Sequence, residues 1–189
     1  MAKLTTEGLL AAYRRGLFPM ADPFDGTLAL FDADPRGILP LDAFHVPRRL
    51  ARYMKDFDFA LDRNFAAVID GCARPVTWIS SEIREAYVEL HRAGHAHSVE
   101  AWRDGRLAGG LYGVQLCGAF LAESMFHAVS NASGACLVKL VEHLKARGFV
   151  LLDIQQVLPN TARFGAIEIP KSEYLRRLEE AMRVSPTWS

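Results

Sequence analysis

The clearest pattern in the chain is the helical spacing of apolar residues in two segments. The segment from Ser81 to Ala93 is polar apart from one stripe at positions i, i+3, i+4 and i+7, formed by Ile83, Ala86, Tyr87 and Leu90. The segment from Ser133 to Arg147 carries a similar stripe of Cys136, Leu137, Leu140, Val141 and Leu144. Such stripes predict amphipathic helices that bury one face. Gly94 and Gly148 follow directly and predict where the two helices end.

Three shorter helices are predicted mainly from their end signals. The first spans about Thr6 to Arg15, because Thr5 or Thr6 can cap it, Glu7 suits its first turn and Gly16 stops it. The other two are predicted at about Asn64 to Cys72 and at about Lys171 to Arg183.

The strands are predicted from alternation and from turn residues. Strands at His97–Trp102 and Leu107–Leu116 flank the dipeptide Asp104-Gly105, which is a strong hairpin signal. Further strands are predicted at about Ala119–Ser124 and Phe149–Ile154. The stretch from Pro19 to Pro47 is rich in Pro, Asp and Gly, and it predicts an irregular crossing with one short strand.

This order of elements predicts an α+β fold with a mostly antiparallel sheet. The irregular stretch before residue 47 suggests a join between a small N-terminal lobe and a main domain. We place the lobe at residues 1–40 and the main domain at residues 41–189. A chain of 189 residues with 50% hydrophobic content is large enough to bury a core in this way.

Charge is balanced along the chain as a whole. It has 22 basic and 22 acidic residues, so any contact with nucleic acid must come from a local patch. The best local patch is the helically spaced group Arg48, Arg49, Arg52 and Lys55. A merely solvated face explains the same group, and the sequence leaves both readings open.

No segment predicts membrane insertion or secretion. The longest apolar runs fall short of the roughly 20 residues that a spanning helix needs. The N-terminus lacks the basic flank and apolar core of a signal peptide, so we expect a cytoplasmic protein. Three cysteines without CxxC spacing argue against a disulfide framework.

Polar residues interrupt two predicted strands. Glu123 and Ser124 lie in the run ESMF, and Asp153 and Gln155 end the run LLDIQ. Buried polar groups cost free energy unless they are paired, so these residues suggest a ligand or a network. Asp153 and Gln155 are two positions apart and are expected on one face of the strand, where they could orient an attacking amine. A pair of solvated residues at the strand end is the alternative.

Two other chemistries have weaker support. His95 and His97 alternate near Glu100 and could face a metal, but no spacing completes a site and packing explains them better. The run from Gln115 to Gly118 partly resembles the phosphate turn of acetyl-CoA-dependent acetyltransferases. A strand is predicted after it, however, where a helix N-terminus would be needed to hold the pyrophosphate.

A series of longer runs resembles the leucyl/phenylalanyl-tRNA–protein transferase family. In order, the runs are AYRRGLFP (12–19), DPRGILP (34–40), TWI (77–79), AYVELHRAGHAHSVEAW (86–102), GGLYGV (109–114), ESMF (123–126) with NAS (131–133), LLDIQ (151–155) and GAIEIP (165–170). They cover most of the chain. Met20 and the run ALFDA (29–33) depart from the aromatic residues usual there, and the loop after Gln155 also differs.

The resemblance implies both a fold and an activity. The fold would be a small N-terminal lobe, here shorter than is usual, joined to an acetyltransferase-like (GNAT-like) domain. The enzyme would move Leu, Phe or another apolar residue from aminoacyl-tRNA to the α-amino group of proteins that start with Arg or Lys, in the N-degron pathway. It would work as a cytoplasmic monomer without coenzyme A or metal.

The resemblance also implies roles for individual residues. Asp153 and Gln155 would activate the acceptor amine, and Glu123 would line the donor site. The donor-binding residues would be Tyr13, Trp78, Leu111, Phe120, Ser124 and Ile154, and the tRNA-binding residues would be Arg48, Arg49, Arg52 and Lys55. A basic acceptor residue also needs an acidic partner, for which Glu123, Asp153 and Glu168 are candidates.

Two alternatives stay open on the sequence alone. One is a coenzyme A-dependent N-acyltransferase. The other is a tRNA-binding or peptide-binding homologue that has lost catalysis, although it would not need to keep Glu123, Asp153 and Gln155.

Overall fold

A computed structural model describes residues 4–73 and 77–189 of the chain. Its helices are α1 (Thr6–Arg14), α2 (Arg48–Tyr53), α3 (Phe65–Cys72), α4 (Ser81–Arg92), α5 (Ala132–Arg147), α6 (Pro159–Ala162) and α7 (Lys171–Ala181). Its strands are β1 (Phe18–Ala21), β2 (Leu28–Phe31), β3 (Arg36–Ile38), β4 (Asp58–Leu61), β5 (Ala96–Arg103), β6 (Arg106–Leu116), β7 (Ala119–His127), β8 (Leu151–Gln155) and β9 (Ile167–Ile169). A 3₁₀ turn covers Met54–Asp56.

The helices predicted from end signals and apolar stripes are present within one or two residues of the expected bounds. Thr5 caps α1 by accepting the backbone N–H of Gly8, and Ser80 caps α4 by accepting that of Ile83. Gly148 ends α5 in the left-handed conformation, at φ 81°. Local capping chemistry therefore sets these boundaries; the cap at Thr5 and the stop at Gly148 were predicted, whereas the cap at Ser80 was not.

The strands form a small sheet and a large sheet. β1 and β2 make a two-stranded hairpin, and the other seven strands follow the order β4-β5-β6-β7-β8-β3-β9. Every neighbouring pair in the large sheet is antiparallel except β7 and β8, which run parallel. The prediction of a mixed fold with a mostly antiparallel sheet is confirmed.

The prediction for the stretch from Pro19 to Pro47 was wrong, because this stretch and its flanks contain three strands instead of one. β1 and β2 form the hairpin, and β3 enters the large sheet between β8 and β9. β4 and β9 were also not predicted. All five strands have only three or four residues, too few for alternation to show. Outside the β1–β2 hairpin, they are stabilised by partners distant in sequence.

Apolar clusters cover the two faces of the large sheet. Leu121 and Leu151 belong to a cluster with α1, α3 and α4, whereas their neighbours Phe120 and Leu152 belong to a cluster with α5. Successive residues of a strand point to opposite faces, which explains this division. Among the described residues, no helix is both long and apolar enough to cross a membrane.

The parallel pair β7–β8 is the feature that creates space in the sheet. The two strands pair only from Ala119 with Leu151 to Leu121 with Asp153. Beyond that point β7 continues to His127 and β8 to Gln155 without the other as its partner. The sheet therefore opens into a cleft between the last residues of β7 and those of β8.

Trp188 supports a prediction about stability. It is 7% exposed and stacks on His97 and Phe120, with ring centroids 4.3 and 5.3 Å away. Trp188→Ala is expected to lower the free energy of unfolding by about 3 to 5 kcal/mol, because it leaves a cavity beside these rings. Urea unfolding would measure the loss. Phe24→Ala is the matched control, since Phe24 is 90% exposed and its removal should change little; equal losses in both variants would contradict the prediction.

Candidate active site

The cleft between β7 and β8 holds a cavity of about 490 Å³. From β7 it is lined by Ala122, Glu123, Ser124 and Met125, and from β8 and the following loop by Ile154, Gln155, Gln156 and Leu158. Met20 of the hairpin, Trp78, Leu111 and Leu137 complete much of the wall. Most of this lining is apolar, and a few polar groups converge on it, which is the usual character of a site for a small organic group.

A smaller cavity of about 270 Å³ adjoins the first. The two share Met20, Trp78, Glu123, Ile154, Gln155, Gln156 and Leu158. The smaller cavity adds Phe18, Phe31 and Asp32 from the hairpin and its following residue. Two connected compartments therefore meet at Glu123 and Gln155.

A β-bulge aims Glu123 into these cavities. Ala122 pairs with Gly113 of β6 and Ser124 pairs with Tyr112, so Glu123 is an additional residue in β7. A bulge interrupts the alternation of side chains and can direct a polar group toward a ligand site. Glu123 and Ser124 both line the larger cavity as a result.

Two buried tyrosines hold the Glu123 carboxyl. Tyr13 of α1 donates to Glu123 Oε1 at 2.8 Å, and Tyr87 of α4 donates to Oε2 at 3.0 Å. The two hydroxyls also contact each other. Burial raises the pKa of both tyrosines well above the ordinary value, so they stay protonated and act as donors.

Glu123 itself titrates near neutrality. Burial raises its pKa to about 7, although the hydrogen bonds from Tyr13 and Tyr87 act in the opposite direction. Loss of hydration thus outweighs the donors, and the group can hold or release a proton at neutral pH. This property, together with its place on both cavities, makes Glu123 a candidate for proton transfer.

Asp153 is wholly buried and fully engaged by the protein. Arg36 donates to both of its oxygens, at 2.9 Å from Nε to Oδ1 and at 2.6 Å from Nη2 to Oδ2. The Tyr174 hydroxyl donates to Oδ2 at 2.8 Å, and the backbone N–H of Gln155 donates to Oδ1 at 2.9 Å. Neither cavity is lined by Asp153, so its carboxylate does not face a bound amine.

The expectation that Asp153 and Gln155 project side by side from one face was wrong. Gly37 pairs with Gln155 and Ile38 pairs with Asp153, so Ile154 is an additional residue and β8 contains a bulge. Gln155 also has a left-handed backbone, at φ 58°. Strand alternation is lost at this point, and Gln155 lines both cavities while Asp153 lies behind them.

The Gln155 side chain carries an unused donor. Its Nε2 atom is buried, and within residues 4–73 and 77–189 it has no hydrogen-bond partner. A buried amide that lacks a partner costs free energy, and such groups in native proteins call for a functional explanation. A ligand oxygen in the cavity would satisfy it.

The remaining predicted donor-binding residues divide into three sets. The cavity wall includes Trp78, Leu111, Ser124 and Ile154, as the resemblance suggested. Tyr13 lies beneath the wall and contacts Glu123. Phe120 is fully buried, its ring stacks on Trp188 and it lines neither cavity, so its predicted place in the pocket wall was wrong. Phe120 pairs with Leu152 in the part of the sheet where β7 and β8 are still joined, so it lies before the point where the cleft opens.

The weaker metal hypothesis is not supported by the geometry. Glu100 accepts three hydrogen bonds, from the Asn64 N–H, the Ser98 hydroxyl and the Trp102 indole. His97 instead pairs with Asp62, at 2.8 Å from Nδ1 to Oδ2. His91 lies close to this pair, but its Nδ1 is 2.8 Å from the Ala96 carbonyl oxygen. Asp62, His91 and His97 therefore lie together and apart from Glu100, and within the described residues the buried His97 Nε2 has no hydrogen-bond partner.

The turn considered for coenzyme A already uses the backbone N–H groups of Gln115 and Gly118 in hydrogen bonds within the protein. The N–H of Gly118 donates to the carbonyl oxygen of Ala181, and that of Gln115 donates to the carbonyl of His95. β7 follows the turn, as predicted, and the end of α7 covers Gly118. The turn therefore offers no open phosphate cradle.

The predicted basic group lies on the surface. Arg48, Arg49 and Arg52 belong to α2, whereas Lys55 falls in the 3₁₀ turn that follows, and all four side chains are exposed. The three arginines and Tyr53 line a shallow groove of about 510 Å³. Leu50 is buried and anchors α2 on the body of the protein.

Sequence reasoning missed the residues that hold the two carboxyl groups. Tyr87 was taken only as part of an apolar stripe, and Arg36 and Tyr174 were given no role. The only signals in the sequence were a charged residue in the run DPRGILP and a tyrosine in α7.

Comparison with known proteins identifies relatives that match most of the chain, including the residues of the candidate site. A family model described as "Leucyl/phenylalanyl-tRNA protein transferase" matches residues 38–179, and one described as the N-terminal domain of the same protein matches residues 2–34. A protein of Rubrobacter xylanophilus named "Leucyl/phenylalanyl-tRNA--protein transferase" is 54% identical over 186 residues, which cover 96% of this chain and 97% of the relative. Relatives of the same name from Salinibacter ruber and Phenylobacterium zucineum are each 50% identical and cover 98% and 96% of this chain, and 83% and 86% of their own lengths.

Solved structures resemble the chain less closely. A functionally unknown conserved protein from Staphylococcus epidermidis aligns with a TM-score of 0.48 and 11% identity, over 89% of this chain and 66% of that chain. At this level the likeness carries no argument about function.

The titration of Glu123 predicts a pH effect on stability. A carboxyl with a higher pKa in the folded state than in the unfolded chain binds its proton more tightly when folded, so stability falls as pH rises from about 4.5 to about 7. Between about pH 5 and about pH 8, the wild type should lose about 1 to 3 kcal/mol more than Glu123→Gln, because each pKa unit corresponds to about 1.4 kcal/mol. Urea unfolding at both pH values measures this difference. Parallel pH profiles for the two proteins would contradict it.

Proposed function

The chain belongs to the leucyl/phenylalanyl-tRNA–protein transferase family, and from that membership we propose how its cavities carry out the reaction. The enzyme transfers leucine or phenylalanine from charged tRNA to the α-amino group of a protein. The larger cavity holds the aminoacyl ester, and the smaller one admits the N-terminus of the acceptor. The unpartnered amide of Gln155, where the two cavities meet, is the observation that carries this assignment.

Gln155 is proposed to orient both reactants. Its Nε2 can donate to the ester carbonyl oxygen, which gains negative charge when the amine attacks. Its Oε1 can accept an N–H from the attacking amine. A new C–N bond forms and the ester C–O bond breaks, so the amine loses a proton and the ribose oxygen of the terminal adenosine gains one.

Glu123 is proposed to carry that proton. It lines both cavities, and its pKa of about 7 lets it take a proton from the amine and return it to the departing ribose oxygen. Tyr13 and Tyr87 hold the carboxyl in place during this exchange. Trp78, on the wall of both cavities, is proposed to pack against the terminal adenosine.

The apolar wall accounts for the choice of donor. Leu111, Met125, Leu137 and Ile154 surround the larger cavity. Burial of the donor side chain contributes about 0.8 kcal/mol per methylene group, which favours large apolar side chains but separates similar ones only modestly. Leucine, phenylalanine and residues of similar size therefore suit this cavity.

A basic N-terminal residue in the acceptor is proposed to lie in the smaller cavity. Of the three acidic candidates from the sequence, Asp153 is already paired with Arg36, and the exposed Glu168 lines neither cavity. Glu123 remains on the smaller cavity, and Asp32, which already pairs with Lys171, adds a second carboxylate to its lining. Phe31 stacks near Phe18, at 6.5 Å between ring centroids, and adds an aromatic surface that attracts cations. Arg or Lys would suit this lining.

The basic group on α2 is proposed to contact the tRNA. Its three arginines and Lys55 are exposed, and the salt bridges observed among the described residues involve none of them. Phosphate groups would be suitable partners.

The division into domains, the GNAT-like fold, the oligomeric state and the cellular location are also proposals. We propose that residues 1–40 form a lobe and that residues 41–189 form a GNAT-like domain. The matched family regions, which meet between residues 34 and 38, support this division, and so does the single parallel strand pair that opens into the site. One chain lines both cavities, which supports a monomer, and the need for charged tRNA supports a cytoplasmic enzyme of the N-degron pathway.

A transfer assay tests the proposed function. The purified protein should move labelled leucine or phenylalanine from charged tRNA to a peptide that starts with arginine. Gln155→Ala should lower kcat by about 100-fold, as expected when one donor to a developing oxyanion is removed. Absence of transfer at low salt with ample enzyme would refute the proposal.

Gln115→Ala is the matched control for that assay. Gln115 is half-buried, donates to the Pro186 carbonyl and lies outside both cavities, so its removal should leave transfer unchanged. Loss of activity in this variant together with use of acetyl-CoA would favour the coenzyme A alternative. Asp153→Ala is a poor probe, because it would leave the buried Arg36 charge without a partner.

A salt series tests the tRNA surface. The double variant Arg49→Ala/Arg52→Ala should weaken tRNA binding, and the slope of log K against log salt should decrease by about 0.9 for each duplex phosphate contact that is lost. Fluorescence anisotropy at several salt concentrations gives both values. Arg176→Ala/Arg183→Ala is the control, since Arg176 of α7 and Arg183 just beyond it are exposed and pair with nearby glutamates. An unchanged slope in the first variant would remove α2 from the interface.

A further inference from the structure

Arg36 of β3 is a buried cation enclosed on all sides by the protein. It is 0% exposed, and its Nη1 donates to the Gly16 carbonyl oxygen at 2.9 Å. Its guanidinium carbon lies 5.0 Å from the Phe18 ring centroid and 4.4 Å from that of Tyr174. Nε and Nη2 form the fork that grips Asp153. A fully buried ion pair is weak evidence for stabilisation, because desolvation of the two charges offsets their attraction. The pair matters here for the chain segment that it holds in place.

The pair leads directly to Gln155. Asp153 Oδ1 accepts hydrogen bonds from Arg36 Nε and from the backbone N–H of Gln155, both at 2.9 Å. Gln155 has the left-handed conformation, which is unfavourable for a residue other than glycine and must be maintained by its surroundings. The Asp153–Gln155 hydrogen bond is one such restraint, and the Arg36 fork sets the position of the oxygen that makes it.

Gly37 provides a second contact with the same segment. It pairs with Gln155 in the sheet, and a Cβ atom placed on it would lie 2.6 Å from the carbonyl carbon of Gln156 and 2.8 Å from the backbone nitrogen of Val157. Only glycine allows the chain after Gln155 to pass so close to β3. Arg36 and Gly37 thus restrain the catalytic segment from two directions.

We propose that Arg36 and Gly37 are positioning residues for Gln155. Arg36 acts through Asp153, and Gly37 acts through the close approach of the following backbone. Neither touches the substrates; together they fix the backbone from which the Gln155 amide reaches the point where the two cavities meet. This inference rests on the proposed function, in which Gln155 contacts the reacting ester.

The requirement at residue 36 is for a fork and not for charge alone. Lysine offers one ammonium group, which cannot reproduce two parallel hydrogen bonds to a carboxylate and a third to the Gly16 carbonyl. Arg36→Lys keeps the charge and should loosen the orientation of Asp153. Alanine at residue 37 keeps the strand but displaces the backbone of Gln156.

A double-mutant cycle measures whether these residues act through Gln155. Arg36→Lys and Gly37→Ala are each made in the wild type and in Gln155→Ala, and kcat is measured with saturating charged tRNA. In the wild type each change should lower kcat by about tenfold with little change in KM for tRNA, because misplacement by a fraction of an ångström affects the reacting geometry. In Gln155→Ala each should change kcat by less than about twofold, since the group being positioned is absent.

A purely structural role gives a different result. It would lower kcat by the same factor in both backgrounds, and that additive outcome would overturn the inference while leaving the proposed function intact. Full activity of Gln155→Ala would overturn both. The two residues are tested independently, so a poorly folded Arg36→Lys protein leaves Gly37→Ala to decide.

Arg84→Lys is the matched control for Arg36→Lys. Arg84 forms the same two-point contact with Asp70, but the pair is exposed and lies away from the cavities. Its replacement should leave kcat unchanged in both backgrounds.

Discussion

The structure depends on the short pairing of two parallel strands. β7 and β8 share only three paired positions before they separate. Separation leaves backbone and side chains of both strands without the partners that a continuous sheet would provide, and the space cannot be filled by the two strands themselves. The hairpin, Trp78 and the loop after Gln155 surround the opening, which becomes two connected cavities. The site is thus a consequence of incomplete sheet formation.

Two carboxyl groups near this opening are held by different physical means. Glu123 has neutral partners, the hydroxyls of Tyr13 and Tyr87, so burial raises its pKa toward neutrality and leaves its proton exchangeable. Asp153 has the full charge of Arg36 as its partner and no opening to the cavity. A neutral partner suits a group that must change its charge, whereas a charged partner suits a group that must stay in one place. The environment of each carboxyl group, more than its residue type, therefore decides whether the group can change its charge or stays in one place.

The fold was predictable from sequence wherever local chemistry decides it. Thr5, Ser80 and Gly148 mark helix ends, and Asp104-Gly105 marks a hairpin. The short strands β1 to β4 and β9 were missed or misjudged, because three or four residues carry too little pattern and, outside the β1–β2 hairpin, their partners are distant in sequence. The same limit applied to the prediction of the candidate active site. Several cavity residues, among them Trp78, Glu123 and Gln155, could be named from the family resemblance. The bulge in β8 could not be predicted, and it caused the error at the Asp153–Gln155 pair. Nor could the point where β7 and β8 separate, which leaves Phe120 in the paired part of the sheet.

The residues that hold the two carboxyl groups lie far from them in the sequence, so local sequence patterns cannot predict these contacts. Tyr13 and Glu123 are 110 positions apart in the sequence, and Arg36 and Asp153 are 117 apart. Both partners come from the first forty residues, while the carboxyls that they hold lie in the last half of the chain. During synthesis, Arg36 therefore lacks its partners Asp153 and Tyr174 until β8 and then Tyr174 have left the ribosome. An enzyme that modifies the amino termini of proteins, and that draws on the same charged tRNA as translation, thus has no assembled active site until β8 has been synthesised.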